Sequence, residues 1–87
     1  MADQTRFVLT AHAGEVVEAR GIRREWIRRV LEAPKKKSSD KADRTLKHYL
    51  GVVAEYDDRV LRIVVDDRKT PVRVITAYFD RAMRGKL

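Results

Sequence analysis

The sequence predicts an α+β fold of order β-α-α-β-β-β, a curved antiparallel four-stranded sheet packed against an N-terminal helix pair. Three observations predict it. Two helix-type segments near the N-terminus are separated by one glycine corner, and three stretches rich in β-formers fill the second half. The length of 87 residues gives room for one domain with a modest core. A hydrophobic share of 44% is that of a globular chain, and no internal repeat or composition break divides it, so residues 1–87 read as a single domain.

Arg6-Phe7-Val8-Leu9-Thr10 reads as a short opening strand. Thr10 then caps a helix over 11–20, and Gly21 supplies its stop. A second helix is expected over 23–33, closed by Pro34. Its Trp26, Ile27, Val30 and Leu31 share one face, while Glu25, Arg28, Arg29 and Glu32 cover the other. Residues 35–44, Lys-Lys-Lys-Ser-Ser-Asp-Lys-Ala-Asp-Arg, show no periodicity and read as a solvated loop. Strands are expected over 45–56, 60–65 and 72–79, with turn residues at Asp57-Asp58 and over 66–71. In the first of these, Leu46, Leu50, Val52 and Ala54 alternate as an inward set, yet Tyr49 and Val53 are also apolar. Gly51 marks a bulge or bend that curves the sheet and gives it a concave face.

Composition excludes several kinds of chemistry. With no cysteine there are no disulfides, thiolate zinc sites or cysteine nucleophiles, and two histidines do not make a histidine-rich metal centre. No metal and no other cofactor is expected. No Walker loop, zinc pattern or GxSxG is present. No apolar run reaches the roughly 20 residues of a membrane-spanning helix. Met1-Ala2-Asp3-Gln4 lacks the basic-then-apolar order of a secretion signal, so a soluble cytoplasmic protein without a membrane partner is expected. The net charge of +7, from 20 Lys and Arg against 13 Asp and Glu, suits a polyanion. RNA or a ribosome would satisfy it, and so would an acidic protein.

The candidate site residues each carry two readings. On a 3.6-residue period His12, Val16 and Arg20 fall within roughly 80° of one another. Ala13 and Val17 extend that stripe, which sets Arg20 in an otherwise apolar face. A buried guanidinium needs a carboxylate, a carbonyl or a phosphate, so Arg20 is either an internal clamp or a phosphate grip. His12, in the first helical turn, either bonds locally at the sheet edge or acts as a general acid or base. His48 alternates with Leu46 and Leu50, as a half-buried strand residue or an RNA contact. Arg62 and Arg73 interrupt apolar strands; they either snorkel at the rim or together floor an RNA backbone. Thr76 and Tyr78 are expected to share a face with Val72 and Val74, as core β-formers or as a hydroxyl and ring for phosphate and base. Arg81 and Arg84 form a basic tail, solvated or closing over a ligand. Lys35-Lys36-Lys37, with Arg23, Arg24, Arg28 and Arg29, is a solvated loop or an electrostatic landing strip.

The pattern His12-Ala13, Arg20-Gly21-Ile22, Trp26 with Val30-Leu31, Pro34 and Val74-Ile75-Thr76-Ala77-Tyr78 resembles an uncharacterised bacterial family of small domains. That family looks like a branch of the RelE/ParE-type toxin superfamily. The resemblance runs from Phe7 to Phe79 and leaves residues 35–44 unmatched. It implies the RelE-like fold and points to His12, Arg20, Thr76 and Tyr78; Arg62 and Arg73 are added from position. Members of the wider superfamily include ribonucleases that cleave RNA without metal and gyrase poisons that are not nucleases.

The expected function is therefore a metal-independent endoribonuclease. His12 or Tyr78 would activate the ribose 2′-hydroxyl, and Arg20, Arg62 or Arg73 would stabilise the phosphoryl charge. Arg73, Thr76, His48 and Arg81 would contact RNA. The alternative is a non-catalytic toxin-fold module that binds an acidic protein such as an antitoxin, or a gyrase inhibitor.

Overall fold

The computed structural model describes residues 6–87, so the reading of Met1-Ala2-Asp3-Gln4 falls outside it. Strand β1 spans Phe7–Leu9 and passes directly into helix α1, Ala11–Ala19. Thr10 makes that turn, its hydroxyl accepting the Ala13 N–H at 3.1 Å as an N-cap. At the other end Gly21 adopts φ 66, and the N–H groups of Gly21 and Ile22 bond to the carbonyls of Glu18 and Val17. This is a Schellman closure, and its hydrophobic contact is supplied by Val17 and Ile22, both buried. Helix α2, Arg24–Glu32, buries Trp26, Ile27, Val30 and Leu31, the face its spacing predicts.

Four strands follow: β2 at Lys36–Ser39, β3 at Lys47–Val53, β4 at Arg59–Asp66 and β5 at Val72–Phe79. Among the described residues the sheet has five strands in the order β1-β5-β4-β3-β2, against the four expected. The extra one is β2, which lies inside the stretch read as a loop. It pairs antiparallel with β3, Lys36 opposite Leu50 through Ser39 opposite Lys47. An edge strand with no buried residue needs no apolar alternation, so periodicity cannot reveal it; its lysines suit an edge that must not recruit another chain. The sheet is also mixed rather than antiparallel. Three reversals from β2 to β5 return the chain in the direction of β1, and β1 pairs with β5 in parallel.

Both helices pack on one face. There Ala13, Val17, Ile27 and Val30 meet Tyr49, Val53, Leu61, Ile63, Val65, Val74 and Ala77 in a single core. In β3 the helix-facing set is thus Tyr49, Gly51 and Val53, not the expected Leu46, Leu50, Val52 and Ala54; Val52 is exposed and Ala54 lies beyond the strand. Gly51 is the reason. A Cβ there would stand 2.8 Å from a methyl of Val30, so this glycine is where α2 settles onto the sheet. The register runs unbroken past it, Gly51 opposite Leu61, and β3 ends at Val53 rather than at residue 56.

The irregularity lies in β5 instead. Val64 pairs with Thr76 and Val65 with Val74, which leaves Ile75 as the extra residue of a bulge. The slip resets the alternation. Val72 and Val74 face the helices, whereas Thr76 and Tyr78 face the other way, correcting the expectation that all four share a face.

Candidate functional site

The face of the sheet away from the helices carries the chemistry. Alternation along β4 sends Leu61, Ile63 and Val65 to the helices and Val60, Arg62, Val64 and Asp66 to the uncovered side. Register then places Tyr78 beside Arg62 on one flank and Leu50 on the other, with His48 diagonal to it on β3. Leu50, Val60 and Val64 are buried and give this face an apolar floor.

Across that floor runs a continuous polar chain. Asp40, just past β2, meets His48 Nε2 at 2.7 Å. The other ring nitrogen, Nδ1, lies 2.8 Å from an Arg62 terminal nitrogen. Arg62 in turn holds one oxygen of Asp80 with Nε at 2.8 Å and a terminal nitrogen at 2.7 Å. A guanidinium only donates, so Nδ1 must accept and Nε2 carries the proton toward Asp40. The order of donors and acceptors is thereby fixed from end to end. All four side chains are between 15% and 23% exposed, shielded enough for charge-assisted bonds to hold geometry.

Both terminal carboxylates have their own anchors. The second Asp40 oxygen accepts the N–H groups of Ala42 and Asp43 at 3.0 and 2.9 Å. The His48 bond, then those backbone donors, hold Asp40 below its ordinary value of 3.8 against the cost of burial. Burial pushes Asp80 up, but the Arg62 bond and charge outweigh it, with the N–H groups of Ala82 and Met83. The net shift is again downward. A carboxyl whose folded value is depressed contributes stability above its unfolded value, and that contribution is lost as pH falls through the folded one. Stability should therefore hold down to about pH 4 and decline below it. Urea titrations at several pH values should show a shallower acid decline in Asp80→Asn than in the parent chain.

The uncovered face brings together His48, Arg62, Thr76 and Tyr78. Arg73 lies on it too, opposite Asp66, four positions along β4 from Arg62 and so about 13 Å away at strand rise. Arg81 follows β5 in a short 3-10 turn, Arg81–Met83, next to Asp80. His12 and Arg20 belong to the opposite side of the sheet. The buried line of α1 is Ala13 and Val17 alone, with His12 and Arg20 exposed to one side of it, which corrects the expectation that Arg20 lies within an apolar face. Arg20 is an internal clamp: a terminal nitrogen donates to the Ala77 carbonyl at 2.7 Å. Thr10 likewise bonds to β5, its N–H to the Val74 carbonyl at 3.1 Å and its hydroxyl to that of Ile75 at 3.4 Å. The start and end of α1 thus grip β5 where β1 no longer pairs with it.

Sequence reasoning missed Asp40 and Asp80, the two ends of the chain. The available signal was Arg62 itself: a guanidinium interrupting an apolar strand demands a carboxylate, and Asp80 is the first one after the neighbouring strand. Among the described residues no three His, Asp or Glu side chains group as a metal-binding cluster, and no helix is long and apolar enough to cross a membrane.

A small α+β domain with helices on one sheet face and a polar chain on the other is the class these features define. The family described as a domain of unknown function, DUF4258, matches residues 9–79, and the chain belongs to that family. No curated protein and no solved structure matches the chain. The sequence resemblance to an uncharacterised family of small domains is thus upheld at family level.

Proposed function

We propose that this chain is a RelE/ParE-like, toxin-type protein of the RelE-like fold, a cytoplasmic endoribonuclease that needs no metal and works through its uncovered sheet face. One observation carries the reading. Arg62 is pinned by His48 and Asp80 beside Tyr78 on the floor of that face. Of its five donors, Nε and one hydrogen on each terminal nitrogen are engaged, which leaves a hydrogen on each terminal nitrogen for a phosphate. Such a fixed donor pair stabilises charge developing on phosphoryl oxygens without reorganising. Tyr78 is the hydroxyl placed to exchange a proton with the ribose, and Arg73 extends the cationic track for the backbone. Arg20 acts through Ala77, holding the strand segment that carries Tyr78.

The test is cleavage of free and ribosome-bound RNA in the presence of a chelator. Tyr78→Phe should abolish cleavage with RNA binding kept, and His12→Ala, on the far side of the sheet, should cleave normally. Cleavage lost in His12→Ala with folding intact would overturn the arrangement. A second reading is a non-catalytic module for an acidic protein such as an antitoxin, with gyrase inhibition a further form. The observation favouring it is that both ring nitrogens of His48, the histidine on the uncovered face, are engaged by Asp40 and Arg62, so Tyr78 has no free imidazole beside it. It requires that the parent protein leave RNA intact and that Arg73→Glu abolish capture of the acidic partner.

A further inference from the structure

Beyond the end of the polar chain, where β4 begins and β5 finishes, lies a cavity of about 300 Å³ lined by Arg59, Val60, Phe79, Asp80, Arg81 and Arg84. Its charges do not cancel. Asp80 is already committed to Arg62. Arg84 is committed to the turn after β3, donating to the Asp57 carbonyl at 2.6 Å and to its carboxylate at 2.8 Å. Arg59 and Arg81 remain as uncompensated cations. Arg59 lies 4.6 Å from the Tyr56 ring centroid, and its Nε is buried without a hydrogen-bond partner. That guanidinium has no carboxylate partner among the described residues, so an anion entering the cavity would meet an uncompensated charge.

The rest of the lining is apolar. Phe79, on the helix side opposite Leu61, stands edge-on to Tyr56 and to Trp26, with centroids 5.0 and 6.2 Å away, and Val60 lines the cavity from the other side of the sheet. A lining that is apolar in part and carries two guanidinium groups without a carboxylate partner suits a ligand that is flat at one end and anionic at the other. The volume is at the small end of ligand pockets, the size of one nucleotide.

We propose that this cavity binds a nucleoside monophosphate, its phosphate on Arg59 and Arg81 and its base against Phe79. The inference deepens the RNA reading and rests on it: the cavity is the seat of one nucleotide of the strand whose neighbouring phosphate lies at Arg62, the two being joined through Asp80. Inorganic phosphate offers only the charge and a nucleoside only the ring, so neither uses both walls.

The experiment uses the full chain. Adenosine monophosphate, adenosine and inorganic phosphate are titrated separately, with calorimetry and the fluorescence of Trp26, the single tryptophan, as readouts. An RNA oligonucleotide is followed in parallel by anisotropy. The monophosphate is expected to bind saturably, about tenfold or more tighter than either fragment, and Arg81→Ala to weaken it by about the same factor, as loss of a charge-assisted contact does. Arg81 is exposed and makes no side-chain bond among the described residues, so that variant should melt as the parent does. Arg59→Lys keeps the charge, loses the planar donor set and should also weaken binding. Monophosphate binding no tighter than phosphate, or unchanged in Arg81→Ala, overturns the proposal. If RNA binds and the monophosphate does not, the cavity assignment fails alone. If the monophosphate binds and RNA does not, the RNA reading fails while the nucleotide site stands.

Discussion

Replacing Arg62 by alanine is expected to lower stability by about 2–4 kcal/mol and to abolish action on RNA. The change removes one side chain but strands two others. Asp80 is left as a shielded carboxylate without its cation, and His48 Nδ1 loses its donor. In a domain of this size such a loss corresponds to about 10–25 °C in Tm. Arg62→Lys should recover part of the stability, because the charge returns, but not the function, because an ammonium cannot hold Asp80 and His48 and still present a paired donor edge. Urea unfolding of the two variants beside RNA cleavage separates these effects. A loss below about 1 kcal/mol would place the pair among ordinary exposed ion pairs and remove the argument that the guanidinium is rigid.

That the network hangs on Arg62 explains what the sequence could and could not show. The core-facing elements were legible because burial writes a period into the chain. Trp26, Ile27, Val30 and Leu31 announce the buried side of α2, and the Gly21 corner announces the end of α1. The polar chain has no such period. Asp40 and Asp80 sit in turns just past strands β2 and β5, where a carboxylate reads as turn chemistry, and only the register of β3 on β4 brings His48 and Arg62 within reach of them. His12 and Arg20 show the converse. Helical spacing puts them on one stripe with Val16, Ala13 and Val17, but only Ala13 and Val17 turn into the core and both polar residues stay exposed. Nor can spacing within a helix say which side of the sheet the helix will cover.

The bulge at Ile75 illustrates the same limit in a single residue. A strict alternation through Val72, Val74, Thr76 and Tyr78 would put two β-branched aliphatics and the two hydroxyls on one side. One extra residue moves both valines into the core and leaves the hydroxyls facing out. Nothing in Val-Ile-Thr-Ala-Tyr marks it, because the bulged position holds isoleucine rather than glycine. Its consequence is chemical. Without the slip, keeping Val74 in the core would turn Tyr78 toward the helices and away from Arg62.

Gly51→Ala should cost about 1–3 kcal/mol, although alanine is ordinarily harmless or helpful in place of a strand glycine. The new methyl would lie 2.8 Å from Val30 Cγ2, closer than nonbonded carbons tolerate, and 3.3 Å from Cγ1, a tight contact. Val30 cannot turn aside easily, since it is 4% exposed and a β-branched side chain in a helix has essentially one χ1 well. The conflict must therefore be met by lifting α2 from β3. The remedy is as specific as the clash. Val30→Ala alone should destabilise through the space it leaves, but the pair Val30→Ala with Gly51→Ala should be more stable than the sum of the single losses predicts, by about 1 kcal/mol or more. Denaturant unfolding of the four proteins measures that coupling directly. Additive losses would mean that α2 does not rest on Gly51. A positive coupling would show that this glycine is kept for the close approach of the helix.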